Sequence, residues 1–168
     1  MNWGESVAKE FDTIETERLL LRGITESDAD LIVKWRSQED VYRFLKTPKK
    51  ITLDDHMKWF REIYINNIYR FDWMCIEKDS GSHIGVFGLI KEGDMAEVNY
   101  LLAPEAMHKG YASEAVKALI EYASHKMGSK IMIAEIHENN KPSIALAKRL
   151  GFEKHTCHKP FISFCKEL

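Results

Sequence analysis

Residues 107–114 read Met107-His108-Lys109-Gly110-Tyr111-Ala112-Ser113-Glu114, a short basic loop followed by the first turn of an amphipathic helix. The first N–H groups of a helix have no partner inside it, and the aligned peptide dipoles add about half a positive charge there. Gly110 lets the backbone approach a ligand closely, while His108 and Lys109 bring donors or positive charge to the same place. The segment therefore predicts an anion site suited to a phosphate.

The residues on either side of this segment indicate a strand, a loop and a helix in that order. Upstream, residues 96–103 form an apolar, β-prone run that stops at Pro104. Downstream, as far as Gly128, apolar residues recur at the spacing of one buried helix face. They are Ala112, Ala115, Val116, Leu119, Ile120 and Ala123. The loop is therefore predicted to lie at the carboxyl edge of a sheet.

Hydrophobic periodicity and turn residues predict the remaining elements. Towards the N-terminus these are a strand at 14–24, a helix capped by Ser27, a short helix near 41–45, a helix from Thr52 to about residue 66, and a hairpin of strands 71–77 and 83–90. Towards the C-terminus these are a strand at 131–136, a helix at 141–150 and a closing hairpin of strands 152–156 and 161–166. The order predicts a mixed α/β layer fold, with a single domain at 14–168 after an arm of uncertain order at 1–13.

Composition narrows the classes of partner. A chain of 168 residues that are 45% hydrophobic is near the usual size of one domain with one core. The net charge of −2 and pI near 6.4 argue against a general nucleic-acid binder. The sequence shows neither an apolar run of membrane-spanning length nor a secretion-signal pattern near residue 1. We therefore expect a cytoplasmic protein without nucleic-acid or membrane partners.

The cysteines do not indicate a disulfide framework or a metal site. Cys75, Cys157 and Cys165 have no paired spacing, and an odd number fits a reducing compartment. The run His155-Thr156-Cys157-His158 lacks a second cluster of ligands elsewhere in the sequence. We therefore expect no metal.

Four segments in order carry a resemblance to a known family. They are 16–22 with the following Ser27-Asp28-Ala29-Asp30, the strand from Glu97 to Tyr100, the loop at 107–113, and Asn140-Lys141-Pro142-Ser143 with Leu150-Gly151-Phe152. Together they resemble the GCN5-related N-acetyltransferases (GNAT), and within them the ribosomal-protein N-terminal acetyltransferases. The resemblance covers nearly the whole chain. It implies the GNAT fold, an α/β (α+β) arrangement with a mixed, mostly antiparallel sheet of about seven strands and helices on both faces.

The same resemblance implies acetyl-CoA as the acetyl donor. In the family, the strand at 97–102 separates from its neighbour at a bulge, and its free main-chain groups hold the pantetheine arm and the thioester oxygen. The implied cofactor contacts are Tyr100, Leu101, Leu102, Met107, His108, Lys109, Gly110, Tyr111, Ala112, Ser113, Asn140 and Ser143. Met107 departs from the family, which usually has Gln or Arg there, so one side-chain donor is missing. Asn140 and Ser143 also fit simple helix capping.

Acetyl transfer requires a neutral amine, a polarised carbonyl and a proton for the thiolate unless it leaves unassisted. Glu97 is the first candidate for the base, although a carboxylate at a strand edge also fits an ion pair, and Asn99 is expected to face the substrate. The tyrosine that serves as acid in much of the family corresponds to Ala147, which leaves Tyr111, Ser143 or unassisted departure. A covalent route through Cys157 is disfavoured because neighbouring strand residues point to opposite faces, so direct transfer is predicted.

The acceptor is predicted to be an amine beneath the helices of residues 28–67. The resemblance implies a protein or peptide N-terminus or a small-molecule amine, and residues 51–60 also resemble acetyltransferases of nucleotide-linked amino sugars. Trp35, Arg36 and His56 are the candidate substrate contacts. A third reading is a non-catalytic acetyl-CoA-binding module, which the missing tyrosine supports. Either a monomer or a homodimer is expected.

Overall fold

The structure, a computed structural model, describes residues 9–168 and has eight strands and five α-helices in that range. The strands are β1 (Ile14–Glu15), β2 (Leu19–Gly23), β3 (Arg70–Glu77), β4 (His83–Glu92), β5 (Met95–Leu102), β6 (Ile131–His137), β7 (Glu153–His158) and β8 (Phe161–Glu167). The helices are α1 (Ala29–Arg36), α2 (Glu39–Tyr42), α3 (Leu53–Trp59), α4 (Tyr111–His125) and α5 (Lys141–Arg149). A 3₁₀ turn, Glu26–Asp28, precedes α1, and another, Pro104–Ala106, follows β5.

All strands belong to one sheet with the order β1-β2-β3-β4-β5-β6-β8-β7. Every neighbouring pair is antiparallel except β5 and β6, which are parallel. The expected mixed, mostly antiparallel sheet is confirmed, with eight strands. The single strand predicted at 14–24 is wrong, because the Thr16 N–H donates to the Leu19 carbonyl at 2.9 Å and closes a turn between β1 and β2.

Helices cover both faces of the sheet. On one face, Tyr122 of α4 meets Trp73 of β3 edge-on, with 5.3 Å between ring centroids. Neighbouring residues on a strand point to opposite faces. Asp72 therefore faces the other side, where Ile32 of α1 and Trp59 of α3 line the same pocket. The sheet thus has one face under α4 and an opposite face under α1 and α3.

The starts of the first and third helices differ in how well they were predicted. The helix expected after Thr52 is α3, and Thr52 caps it: its hydroxyl accepts the Asp55 N–H at 3.1 Å, and the Asp55 carboxylate accepts the Thr52 N–H at 3.0 Å. The predicted N-cap Ser27 is wrong, because Ser27 lies inside the 3₁₀ turn and Asp28 is the N-cap of α1. Thr25 caps the 3₁₀ turn, and the Asp28 carboxylate accepts the Thr25 N–H at 2.8 Å. The helix from Thr52 ends at Trp59 and continues as a π-helical turn, Phe60–Tyr64.

Part of the predicted N-terminal arm, residues 1–8, lies outside the described residues. In the described part, Phe11 packs edge-on against Trp73 at 4.9 Å between ring centroids. Lys9 donates hydrogen bonds to the main-chain carbonyls of Asn67 and Arg70. The segment before β1 therefore contacts the sheet. Within residues 9–168, no helix has the length and apolar character that a membrane crossing needs.

Candidate active site

The central strand β5 loses one of its two partners halfway along its length. It pairs with β4 as far as Leu102, but with β6 only over Met95–Glu97. The main-chain groups on the β6 side of residues 98–102 are therefore free of a neighbouring strand. The register on both sides is uninterrupted, so the predicted separation occurs without the predicted bulge.

The loop after β5 presents a row of free main-chain N–H groups. Within the described residues, no protein acceptor pairs with the N–H groups from His108 to Ser113. His108 and Gly110 have positive φ values of 62° and 79°, whereas Lys109 between them does not. Alternating left- and right-handed residues form a concave nest of N–H groups that suits an anion. This geometry suits an anion, and binding of a phosphate at the loop stays a prediction.

A carboxylate in the first turn of α4 ties this loop to the N-terminal hairpin. Glu114 accepts the Thr16 hydroxyl at 2.5 Å, the Arg18 N–H at 2.8 Å and the Arg18 Nε–H at 2.7 Å. Arg18 also donates to the Lys109 carbonyl at 3.1 Å and lies over the Tyr111 ring. Burial alone would raise the pKa of Glu114, but these donors outweigh it and lower that pKa. The sequence reasoning missed this brace, since its members lie far apart in the chain.

The start of α5 contacts β5 at the point where β5 runs alone. The Tyr100 and Ser143 hydroxyls lie 2.9 Å apart, and burial raises the pKa of Tyr100. The Asn140 side chain accepts the Ser143 N–H at 3.4 Å, so Asn140 caps α5. The structure therefore brings Tyr100, Asn140 and Ser143 together beside the free strand edge. Their predicted contacts with the cofactor stay a prediction.

A pocket of about 420 Å³ lies beneath α1 and α3, on the face of the sheet opposite α4. Its polar lining includes Arg36, His56, Glu97 and Asn99, which the sequence singled out, and Asp72, which it did not.

Trp35 and Tyr111, which the sequence predicts to contact substrate or to act in catalysis, do not line this pocket. Trp35, predicted to contact substrate, is 3% exposed in the core and does not line the pocket, because it lies one turn after the buried Ile32 on the inward face of α1. Tyr111, predicted to be catalytic, lies under the Arg18 guanidinium and does not line the pocket either.

The roof of the pocket carries two polar side chains without protein partners. Among the described residues, Arg36 makes no salt bridge or side-chain hydrogen bond. His56 is 5% exposed and its buried Nε2 has no hydrogen-bond partner in the described structure. Burial, and then the Arg36 charge, lower the pKa of His56. At neutral pH Arg36 is thus charged and the His56 imidazole is neutral, and Asp55 of α3 adds a carboxylate to the same lining.

Glu97 stands at the pocket edge in an environment that fits both of its predicted roles. Its Oε1 lies 3.4 Å from the exposed Lys46 ammonium, and about a third of its side chain, 32%, remains exposed. An exposed pair of this kind contributes little to stability. Glu97 is therefore free to exchange Lys46 for another partner, and its role as the base stays a prediction.

The floor of the pocket holds a carboxylate that the sequence reasoning did not identify. Asp72 on β3 is 2% exposed; its Oδ2 accepts the Arg70 Nε–H at 2.7 Å, and its Oδ1 has no partner among the described residues. Burial raises the pKa of Asp72 despite the opposing charge of Arg70. The available signal was an aspartate between Phe71 and Trp73 in an otherwise apolar strand. In residues 9–168, no cluster of three or more His, Cys, Asp or Glu side chains is arranged to hold a metal.

Comparison with known proteins gives one family match. The model of the family described as "Acetyltransferase (GNAT) domain" matches residues 18–153. A relative from Bacillus subtilis (strain 168), "Uncharacterized N-acetyltransferase YoaA", is 27% identical over 150 residues, which cover 86% of this chain and 84% of that protein.

Solved structures share the fold. The ribosomal L7/L12 α-N-protein acetyltransferase RimL, in complex with coenzyme A, has a TM-score of 0.81 and 16% identity, covering 94% of this chain and 98% of that one. FdhC, described as a nucleotide-linked sugar GNAT, has a TM-score of 0.79 and 17% identity, covering 93% and 90%. At these identities the likeness concerns the fold alone.

Proposed function

This chain belongs to the GNAT acetyltransferase family and is an acyltransferase, and from that premise we propose that it transfers an acetyl group from acetyl-CoA directly to a primary amine. The acceptor amine is that of a protein or peptide N-terminus or of a small molecule. The expected cytoplasmic location, and the expected monomer or homodimer, belong to the same proposal.

The observation that carries the proposal is the row of unpaired N–H groups from His108 to Ser113 beside the free edge of β5. A diphosphate is an anion that such a helix start binds without side-chain charges. The loop residues would hold the diphosphate of acetyl-CoA, and residues 99–102 its pantetheine arm. When bound, acetyl-CoA supplies an acetyl group activated as a thioester.

The two sides of the reaction meet at one strand. The cofactor loop follows β5, and Glu97 and Asn99 of β5 line the pocket on the α1 and α3 face. An amine held in that pocket therefore lies against β5, whose edge on the β6 side is free to bind the donor after Glu97. This arrangement supports direct transfer between two bound substrates. Cys157, by contrast, is exposed on β7 and is not among the pocket residues.

A second candidate acceptor is a nucleotide-linked amino sugar. The observation that favours it is the half-buried Arg36 guanidinium, which has no partner among the described residues and lies in the same pocket as the neutral His56. An unpaired buried cation is costly unless a ligand neutralises it. A phosphate or carboxylate near the acceptor amine would supply this counter-charge to Arg36, while the carboxylates of the same lining, Asp55, Asp72, Glu97 and Glu135, suit the amine itself.

The test is a thiol-release assay with acetyl-CoA and a panel of N-terminal peptides, polyamines, aminoglycosides and nucleotide-linked amino sugars. We expect free thiol with at least one acceptor, and faster release with acceptors that carry an anionic group. Cofactor binding without thiol release from any acceptor would instead identify a non-catalytic acetyl-CoA-binding module.

The cofactor loop has its own test in Gly110→Val. A valine at φ 79° is strained and blocks the main-chain approach, so acetyl-CoA affinity should fall at least tenfold by calorimetry. Gly93→Val is the matched control, because Gly93 has a φ of 57°, no neighbour within 4 Å of its added Cβ, and a position at the far end of β5. Lys109→Ala should weaken binding mildly and in a salt-dependent way. Equal affinity in the Gly110 and Gly93 variants would remove the loop from the cofactor site.

A further inference from the structure

Three residues on adjacent strands lie side by side on the floor of the pocket. Asp72 of β3 is paired in register with Gly88 of β4, and Gly88 with Asn99 of β5. Cross-strand partners project from the same face of a sheet. Asp72 and Asn99 therefore flank Gly88 within the acceptor pocket.

Because Gly88 has no side chain, the Asp72 carboxylate lies directly over its main chain, next to the Asn99 amide. A Cβ added to Gly88 would lie 2.1 Å from Asp72 Oδ1, 2.9 Å from Asn99 Oδ1 and 3.2 Å from Asn99 Nδ2. The two side chains thus converge over Gly88, yet no hydrogen bond joins them among the described residues. Both side chains line the pocket, so an amine nitrogen on the pocket side of the pair meets both groups.

The Asp72 carboxylate is half satisfied. Its Oδ2 is held by Arg70, but its Oδ1 is buried and has no partner in the described structure. A buried carboxylate oxygen without a donor is unfavourable, and native structures retain such groups mainly where a ligand or water supplies the donor. The missing partner is a hydrogen-bond donor, which a primary amine provides.

We propose that Asp72 receives the proton of the acceptor amine, and that Asn99 holds the same nitrogen above Gly88. This inference rests on the proposed transferase function and deepens it by naming the base and the amine subsite. Arg70 is a positioning residue, because it fixes Oδ2 and so keeps Oδ1 over Gly88 and beside Asn99.

The surroundings of Asp72 suit a proton acceptor. Arg70 and Lys9 are the cations nearest to it, and the Tyr64 hydroxyl accepts its main-chain N–H at 3.2 Å. The other titratable groups that line the pocket are Arg36, Lys46, Asp55, His56, Glu97, Tyr100 and Glu135. Burial raises the pKa of Asp72, which brings its proton affinity closer to that of an amine. Glu97 is less suited, since it is a third exposed and pairs with Lys46.

The proton and electron balance is simple. The acceptor enters as an ammonium ion and one N–H bond breaks as an O–H bond forms on Asp72 Oδ1. The neutral amine forms a C–N bond to the acetyl carbon while the C–S bond breaks, and the electron pair of that bond leaves on sulfur. The new amide loses a second proton to the thiolate. Asp72 returns its proton to solvent when the product departs.

The test compares Asp72→Asn with the wild type on two acceptors. The first is the best amine from the thiol-release panel, and the second is its alkoxyamine analogue, whose nitrogen is unprotonated at neutral pH. We expect kcat/KM to fall at least about a hundredfold for the amine and less than tenfold for the alkoxyamine. The acid limb of the wild-type pH profile should disappear, and acetyl-CoA affinity and Tm should be retained.

The possible outcomes separate the two proposals. Equal losses for both acceptors, or full activity of Asp72→Asn, overturn the assignment of Asp72. Absence of turnover by the wild type with every acceptor overturns the transferase proposal instead. Carboxyl ¹³C NMR needs no acceptor: Asp72, identified by its loss in Asp72→Asn, should titrate at higher pH than the exposed aspartates. A lower midpoint contradicts the proposal.

Gly88→Ala provides an independent variant. Its methyl group would lie 2.1 Å from Asp72 Oδ1 and so displace the carboxylate, and turnover should fall while acetyl-CoA affinity stays within about twofold. Gly23→Ala is the matched control, since Gly23 is also a strand glycine, and its added Cβ would meet only the Phe11 ring and the Lys9 carbonyl at 3.2 Å or more. Wild-type turnover in a folded Gly88→Ala protein would remove the subsite above Gly88.

Discussion

Asp28 and Asp72 are almost equally buried, but they differ in how many hydrogen-bond donors hold their carboxylates. Asp28 before α1 is 3% exposed, and Asp72 on the pocket floor is 2% exposed. Asp28 is paired with Arg22, six residues earlier in the chain, and Asp72 is paired with Arg70, two residues earlier. Arg22 grips both oxygens of Asp28 at 2.8 Å, and Thr25 adds a third donor. Arg70 grips only one oxygen of Asp72.

The pKa values follow this difference. Burial alone would raise the pKa of Asp28, but the Arg22 and Thr25 donors outweigh it and lower that pKa. The pKa of Asp72 stays raised by burial, because one arginine does not compensate for it. A fully satisfied buried carboxylate stabilises the turn into α1, whereas a half-satisfied one keeps an oxygen available for a ligand. Similar burial therefore marks a structural residue in one place and a candidate catalytic residue in the other.

The largest contrast is expected in stability. Asp28→Asn removes a buried carboxylate that Arg22 and Thr25 hold by three hydrogen bonds, so the free energy of unfolding should fall by about 3 kcal/mol in urea denaturation. Asp72→Asn removes a carboxylate that burial already disfavours, and should change that free energy by less than about 1 kcal/mol. A larger loss in Asp72→Asn than in Asp28→Asn would break the comparison.

A smaller contrast is expected when each arginine is replaced by lysine. Arg22 uses two parallel N–H bonds that a lysine does not reproduce, so Arg22→Lys should lower the free energy of unfolding by about 1.5 kcal/mol. Arg70 uses Nε alone, and Arg70→Lys should cost about 0.5 kcal/mol in the same denaturation experiment. Equal costs would mean that the second Arg22 bond adds nothing.

The smallest effects concern the pH dependence of stability. Because the pKa of Asp28 is lowered, its contribution is present above the pKa of the unfolded chain and is lost as pH falls through the folded value. Because the pKa of Asp72 is raised, the wild type loses stability as pH rises from the unfolded to the folded value. The urea midpoint of Asp28→Asn should therefore no longer fall as pH drops through the folded pKa of Asp28. The urea midpoint of Asp72→Asn should no longer fall as pH rises from the unfolded to the folded pKa of Asp72. Parallel profiles for both variants would contradict this.

Much of the fold was predictable because its signals are local. Helix α4 begins at Tyr111 as the apolar spacing indicates, and the hairpin of β3 and β4 follows from its turn residues. The first helix shows the limit of such signals. Ser27 and Thr25 are both acceptable caps, and the choice of Thr25 for the 3₁₀ turn before α1 depends on Arg22, which draws Asp28 inward.

The candidate site was predictable in part for the same reason. The loop residues are contiguous, so their free N–H groups were foreseeable. Arg36, His56, Glu97 and Asn99 were named from family resemblance, and the structure brings them to one pocket. Trp35 was misjudged because helical spacing alone does not say which aromatic faces the core.

The sequence by itself determined most of the order of elements, the loop before α4 and the family, because periodicity, caps and glycines act between neighbours in the chain. Only the tertiary structure decided which carboxylate faces the acceptor and which one braces a turn. Asp72 and Asn99 lie 27 positions apart in the chain and meet above Gly88 only when β3, β4 and β5 pair in register. Burial and unmet hydrogen bonds, which distinguish Asp72 from Asp28, exist only after distant segments have packed together.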